Sequence, residues 1–524
     1  MTAYDRNRAE PRNARLLEPG RTCCGTPRAN RFAMIVDAAE YFAAAREAML
    51  AADDTILLVG WDFDLRIDLA PGRDDVEGPT RLGPFLKYLV RRKPHLRIRV
   101  LRWDMSVLYN LGTQVIPMIA LDVEASERIK LRFDSNHPWS AAHHQKIAVI
   151  DDSLAFCGGI DMTTDRWDTR GHLPGDTRRR QPDGRESGPW HDLTAVMDGD
   201  AARDLGRIAR RRWQRATGSD LPAPSDYRDR WPTCIAPLME DVDVGIARTM
   251  PPYRDQPRVN EVENLALAAI WSARDTIYLE SQYFASQSIC DALRARLSER
   301  GGPEVVVVNP LSTFGWLEQH TMGTSRDLRL TEITRADRHR RFAIYHPVNA
   351  AREPIYVHAK VLVVDDRLMR IGSSNINNRS MGFDTECDVA VEAASDDQRA
   401  AISDARDDLL AEHLDTDTAT IRQTLSETGS LLRTVETLRR EDGRSLEPIP
   451  RREVNSLEET VTKARVADPE TPAQLESRAT HIAKQAVLRV PPSAWVTAGA
   501  TGLAVVLATG ALRNAVRRRR RRSG

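Results

Sequence analysis

Apolar residues along this chain change their spacing in a fixed order, and that order occurs twice. Over residues 31–52, Phe32, Ile35, Val36, Ala39 and Phe42 recur at helical spacing, and Asp53-Asp54-Thr55 then leads into a β-branched run at 56–61. The same succession returns as a predicted helix over 262–273, then Asp275-Thr276 and a predicted strand over 277–284. A further strand follows in each place, at 96–101 and 304–308, each preceded by a helical stretch. Short, almost wholly apolar runs close each series at 146–150 and 360–364, and both end in Asp-Asp turns, as strands buried on both faces do. A period of about two hundred residues is far too long for a solenoid. The pattern predicts a duplicated α/β domain with a central sheet in each half.

The predicted halves run over residues 31–235 and 236–415, with a Pro-bearing crossing segment from Trp231-Pro232 to Arg258. Residues 1–30 are polar and Arg-rich and are expected to be disordered. They contain no apolar core of a secretory signal peptide. Residues 416–490 read as helix followed by a Pro/Glu/Arg-rich linker, with an amphipathic stretch at 475–490. From Ala494 to Leu512 there is no charge, and Arg513 and an unbroken block from Arg517 to Arg522 follow. That length just reaches what a bilayer requires, so residues 491–524 are expected to anchor the chain to a membrane. A true span would keep the Arg tail in the cytoplasm and place the catalytic region outside, whereas a peripheral anchor avoids this; the sequence leaves the side open.

Composition narrows the function. A formal net charge of zero over 524 residues argues against nucleic-acid binding driven by bulk electrostatics. Cys23, Cys24, Cys157, Cys234, Cys290 and Cys387 lack the spacing of a zinc site or a disulfide framework. No metal and no cofactor is called for.

The chemistry sits where each apolar run begins. His144-Gln145-Lys146 is followed by Asp151, and His358-Ala359-Lys360 by Asp365 at the same offset. After six intervening residues come two small-residue turns, Gly158-Gly159-Ile160-Asp161 and Gly372-Ser373-Ser374-Asn375. A lone strand histidine is ordinarily a satisfied core residue. A lysine beside each one changes that reading, because a buried ammonium is costly unless an anion compensates it. In a strand, residues i and i+2 share a face, so each His projects with its Lys. Two imidazoles flanking two ammonium groups suit phosphodiester cleavage: one ring attacks, the other protonates the leaving group, and the lysines neutralise the phosphoryl oxygens. Ser373, Asn375 and the turn amides add donors.

This duplicated H-x-K-x4-D motif resembles that of the phospholipase D superfamily, over roughly residues 30–395. Gly158-Gly159-Ile160-Asp161, Pro189-Trp190-His191-Asp192 and Glu280-Ser281-Gln282-Tyr283-Phe284 look most like blocks of the phospholipase D enzymes proper. The resemblance implies two phospholipase D-like α/β halves related by a pseudo-two-fold axis, plus the helical tail. It also implies a metal-free reaction through a covalent phosphohistidine. Carried over by position, His144 is the nucleophile and His358 the general acid, with the reverse assignment left open. Lys146, Lys360, Ser373 and Asn375 would bind phosphate, and Asp192 and Glu386 would orient the histidines. Asp151 and Asp365 complete the motif and are expected to shape the site. Asp161 stands where many relatives carry Asn, so it is not expected to bind phosphate. The implied partners are a phospholipid substrate and a membrane, and with both motifs in one chain a monomer suffices. The Arg-rich loop before Trp190, with Trp139 and Trp167, reads as a rim for anionic head groups. Phospholipid hydrolysis leads, transfer of the cardiolipin-synthase kind follows, and a nuclease or an inactive membrane-binding module ranks last.

Overall fold

The computed structural model describes residues 14–104, 126–224, 227–312, 322–452 and 468–471. The chain order is β1 (Arg28–Val36), α1 (Asp37–Ala51), β2 (Thr55–Gly60), α2 (Leu82–Arg92), β3 (Arg97–Trp103), β4 (Ile129–Asp134), β5 (Ile147–Ile150), β6 (Leu154–Gly158), β7 (Trp190–His191), β8 (Leu193–Asp198), α3 (Gly199–Thr217) and β9 (Met239–Asp243). It continues with β10 (Gly245–Met250), β11 (Val259–Asn260), α4 (Glu261–Ser272), β12 (Thr276–Ser281), α5 (Gln287–Ser298), β13 (Glu304–Val308), α6 (Thr324–Ala336), β14 (Phe342–Val348), β15 (Tyr356–Val357), β16 (Lys360–Val364) and β17 (Leu368–Gly372). Then come α7 (Asn378–Gly382), β18 (Glu386–Glu392), α8 (Asp396–His413), α9 (Thr418–Thr428), α10 (Leu431–Leu438) and β19 (Ser445–Pro448).

The duplication is plain in the sheets. One has the order β4-β3-β2-β5-β6-β8-β1-β9, and the other β11-β10-β18-β17-β16-β12-β13-β14-β19. Strands β4-β3-β2-β5-β6-β8-β1 correspond one for one to β14-β13-β12-β16-β17-β18-β10, with matched parallel and antiparallel pairings. The sheets meet through β6 and β8 against β17 and β18. Alternate residues of each motif strand fill different layers: Ile147, Val149, Val361 and Val363 pack between the sheets, while Ala148, Ile150, Leu362 and Val364 pack under the outer helices. This two-sided burial is why the strands read as unbroken apolar runs.

Several expectations are corrected. Residues 31–36 form the end of β1, not the first turns of a helix, because Phe32–Val36 ladder onto β8. The helix proper begins at Asp37. Residues 14–30 are not disordered: Leu16 and Leu17 are buried, and both their amides donate to Glu392. Residues 1–13 lie outside the described residues. In the crossing region β9 still pairs with β1 while β10 joins the second sheet, so the chain passes between sheets at Val244. Within the expected linker, β19 is a strand of the second sheet, paired to β14. No helix among the described residues is long and apolar enough to cross a membrane. The expected anchor at 491–524 and the amphipathic stretch at 475–490 lie outside the described residues.

Candidate active site

The sheet register explains where the motif side chains stand. Because β5 runs antiparallel to β2, Ile147 pairs with Val59 near the carboxyl end of β2, and likewise Lys360 pairs with Ser281 at the end of β12. The carboxyl ends of parallel strands are where an open α/β sheet leaves a crevice for ligands. The motif aspartates lie a strand's length away, about 16 Å along the chain at the usual rise per residue. Asp151 accepts the amides of Asp53, Asp54 and Thr55, and Asp365 those of Arg274, Asp275 and Thr276. Neither joins the histidines, although both complete the motif expected to shape the site: each caps the turn that launches a parallel strand.

Each histidine is held by the opposite half. The backbone ahead of the first motif bonds to the residue before β18, with His144 N–H donating to Thr385 O and Thr385 N–H to Ala142 O. In the same way, β15 pairs in parallel with β7, and His358 N–H donates to His191 O at 2.7 Å. These exchanged contacts deliver the carboxylates. His144 Nδ1 meets Glu386 at 2.9 and 3.1 Å, and His358 Nδ1 meets Asp192 Oδ2 at 2.6 Å. With Nδ1 engaged, Nε2 of each ring is left for chemistry.

The supports differ between the two couples. Glu386 receives Ser373 Oγ at 2.5 Å and Ser380 Oγ at 2.7 Å. Ser373 is therefore spent on the carboxylate, and its expected role as a phosphate donor is corrected. Asp192 takes the Leu193 amide on its other oxygen and sits against Gly159, where any Cβ would collide with Oδ1. The lysines differ too. Lys146 Nζ lies 3.2 Å from Asp161 Oδ2, whereas the matching Asn375 supplies no charge to Lys360 and donates to Gln282 Oε1. Each ammonium also donates to the carbonyl of its own motif histidine.

Electrostatics bind these groups into one cluster. Burial, then the charges of Lys146 and Lys360, hold the His144 imidazole well below its ordinary value. Burial, then Lys360, Arg166 and Lys146, do the same for His358, with a contribution from His144 itself. Burial lowers Lys360 to about 7 against the opposing pull of Asp192. It raises Glu386 well above the usual carboxylate range and raises Asp192 as well. Burial thus disfavours the charged forms of both imidazoles, of Lys360 and of the two orienting carboxylates. An anionic phosphodiester reverses the sign, favouring both ammonium groups and an imidazolium.

Sequence reasoning did not assign Arg166 and Ser380 to the site. Arg166 stacks over Trp190 at 4.3 Å, and Trp190 lies 5.2 Å from the His358 ring. Ser380 sits in α7 with no signal in the sequence pattern. The other loop arginines are mostly committed to acids: Arg178 to Asp176, Arg179 to Asp168 and Arg185 to Asp183 within the loop, and Arg170 to Glu412 of α8. That does not support the cationic rim expected of them. Trp139 is exposed, whereas Trp167 packs against the core under Arg178.

Two α/β halves with exchanged His–carboxylate couples define a class, and comparison with known proteins agrees. The family model described as "Cardiolipin synthase, PLD-like domain" matches residues 266–405. The chain is 24% identical to phospholipase D A of Dictyostelium discoideum over 68% of its length, and 24% identical to phospholipase D1 of Saccharomyces cerevisiae over 70%. It is also 24% identical to phospholipase D alpha 4 of Arabidopsis thaliana over 66%. These matches span only 32%, 27% and 59% of those relatives' own lengths. Among solved structures, phosphatidylserine synthase of Haemophilus influenzae superposes with a TM-score of 0.51 at 10% identity, covering 84% of this chain and 99% of that one. These matches support membership of the phospholipase D superfamily.

Proposed function

We propose that this protein is a phospholipase D-type phosphodiesterase that cleaves the distal phosphodiester of glycerophospholipids. The observation that carries the reading is the pair of imidazoles, each fixed at Nδ1 by a buried carboxylate from the other half, in a cluster with two lysines and Arg166. In the first step His144 Nε2 attacks phosphorus, and the phosphorus–oxygen bond to the head group breaks. His358 gives its Nε2 proton to the departing alcohol. In the second step His358 takes a proton from water, whose oxygen displaces His144 and releases phosphatidic acid. Lys146, Lys360 and Asn375 face the non-bridging oxygens, and Lys360, with no neighbouring Asp161 equivalent, carries more of the charge that develops there.

The second reading is phosphatidyl transfer, with another lipid's hydroxyl in place of water. The cardiolipin-synthase description of the matched domain and the fold of the synthase favour it. Incubation with phosphatidylcholine and phosphatidylglycerol vesicles in dilute ethanol separates the two. Choline release with phosphatidic acid and phosphatidylethanol supports the hydrolase, and cardiolipin made without choline release supports the transferase. Loss of neither lipid would overturn both. We further propose that residues 491–524 hold the enzyme at a membrane. In the same assay the full chain should float with the vesicles and a chain ending at Val490 should not, and equal flotation of both would remove that role.

A further inference from the structure

Behind the His358–Asp192 couple lies a buried cluster that the phosphodiester chemistry does not use. Asp37 from the start of α1, His172 from the loop before β7, His191 of β7 and Glu412 near the end of α8 are all fully buried or nearly so. One atom of each converges on a common centre, all within 4.8 Å of one another. His172 Nε2 lies 3.3 Å from Glu412 Oε1 and 3.5 Å from Asp37 Oδ2, and His191 Nδ1 lies 2.9 Å from Glu412 Oε1. In a tetrahedral zinc site with ordinary nitrogen and oxygen bond lengths, ligand atoms stand about 3.3 Å apart.

The outward atoms of the same four side chains are all taken. His172 Nδ1 bonds Asp168 Oδ2 at 2.9 Å and His191 Nε2 bonds Glu280 Oε2 at 2.8 Å. Glu412 Oε2 accepts from Arg170 at 2.6 Å, and Asp37 Oδ1, which also lies 3.3 Å from His191 Nδ1, accepts the Asp192 amide at 3.1 Å. A carboxylate on the far nitrogen of each imidazole is how metal-bound histidines are oriented. One of the inward atoms, Asp37 Oδ2, has no hydrogen-bond partner among the described residues despite complete burial, and His172 Nε2 stands 3.5 Å from it. Such an orphan is costly without a further ligand. Charge leads to the same place. Among the described residues, Asp37, Asp168, Glu280 and Glu412 are met by Arg179, by Arg170, which is shared with Asp408, and by the His413 imidazole, so neutrality requires further positive charge, as imidazolium protons or a divalent cation.

We propose that Asp37, His172, His191 and Glu412 bind one divalent transition-metal ion, zinc by the donor set, as a structural staple joining the two halves. With four buried protein ligands the site is of the structural kind and takes no part in the reaction. Its place is telling: His191 supplies the carbonyl that receives the His358 amide, and its neighbour Asp192 orients the His358 ring. The inference rests on the fold alone, not on the proposed substrate. The test is elemental analysis of the full chain, produced without an affinity metal, saturated with zinc and dialysed free of excess. About one equivalent per chain should remain, and X-ray absorption should show two imidazoles and two oxygens at about 2.0 Å with no sulfur. Glu412→Gln should retain less than a tenth of that metal while keeping the circular dichroism of the parent. Absence of bound metal in the parent chain, sulfur in its shell, or undiminished metal in the folded variant would each overturn the proposal.

Discussion

The two halves share a strand order but support their histidines differently. Glu386, which holds His144, is itself gripped by two serine hydroxyls, whereas Asp192, which holds His358, rests on one backbone amide and the space that Gly159 leaves. Lys146 is paired with Asp161, whereas the matching position of the second half holds the uncharged Asn375, bonded to Gln282. A duplicated domain has thus kept its geometry while its two copies diverged in charge. The half with the paired lysine and the firmly held imidazole is suited to a nucleophile, which must keep one orientation through both steps. The half with the unneutralised lysine is suited to charge that comes and goes with the substrate.

That contrast can be broken in order of effect. Removing an orienting carboxylate should cost most: Asp192→Ala and Glu386→Ala are each expected to lower kcat by about 10²–10⁴-fold, as loss of a tautomer-fixing carboxylate does. Ser373→Ala and Ser380→Ala should each cost far less, because the other hydroxyl still holds Glu386. Equal losses in all four variants would remove the distinction.

The lysines come next. Lys360→Met should lower kcat by about 10²–10³-fold, the usual cost of one transition-state donor, and Lys146→Met by less. The sign of the pH effect follows from the depressed pKa. Lys360 is charged in the free enzyme below about 7 and loses its proton as pH rises through that value, so kcat/KM should fall on the alkaline side there. The limb for kcat should lie higher, since a bound phosphodiester favours the ammonium. Lys360→Arg should abolish the limb near neutrality, and its survival would assign it to another group.

The smallest catalytic effect belongs to the motif aspartates. Asp151→Ala strips three amides of a buried acceptor and should destabilise the protein by about 2–4 kcal/mol in urea unfolding, with kcat nearly unchanged at a temperature where it stays folded. Asp365→Ala should behave alike. A loss of kcat comparable to that of the histidine variants would return both to the chemistry.

Much of this was legible in the sequence, and the misses have physical causes. The duplicated motif, the parallel strands at 56–60 and 304–308 and the helix over 262–272 follow from periodicity, because both-sided burial makes β2, β5, β13 and β16 nearly continuous apolar runs. Strand β1 was hidden because its alternating end merges into the helical spacing of α1. Strand β19 was hidden because its apolar content is one leucine. Asp192 and Glu386 could be picked out, but that each serves the histidine of the other half depends on pairings between residues some 166 and 242 apart. Ser373 looked like a phosphate donor because nothing local reveals that its hydroxyl turns back to Glu386. Asp151 and Asp365 sit in the motif yet point to the far end of the sheet, where only the register shows what they bind.

The most direct test of the account is to trap the covalent intermediate. A phospholipid labelled in its phosphoryl group, with a head group that departs as a stable anion, needs no acid for its first step, so His358→Ala should still accept the label but release it slowly. After quenching and digestion, the phosphoryl group should lie on the peptide that carries His144, and His144→Ala should take up none. Label on His358 in the unmodified enzyme, or turnover of this substrate with no covalent adduct at all, would contradict the account.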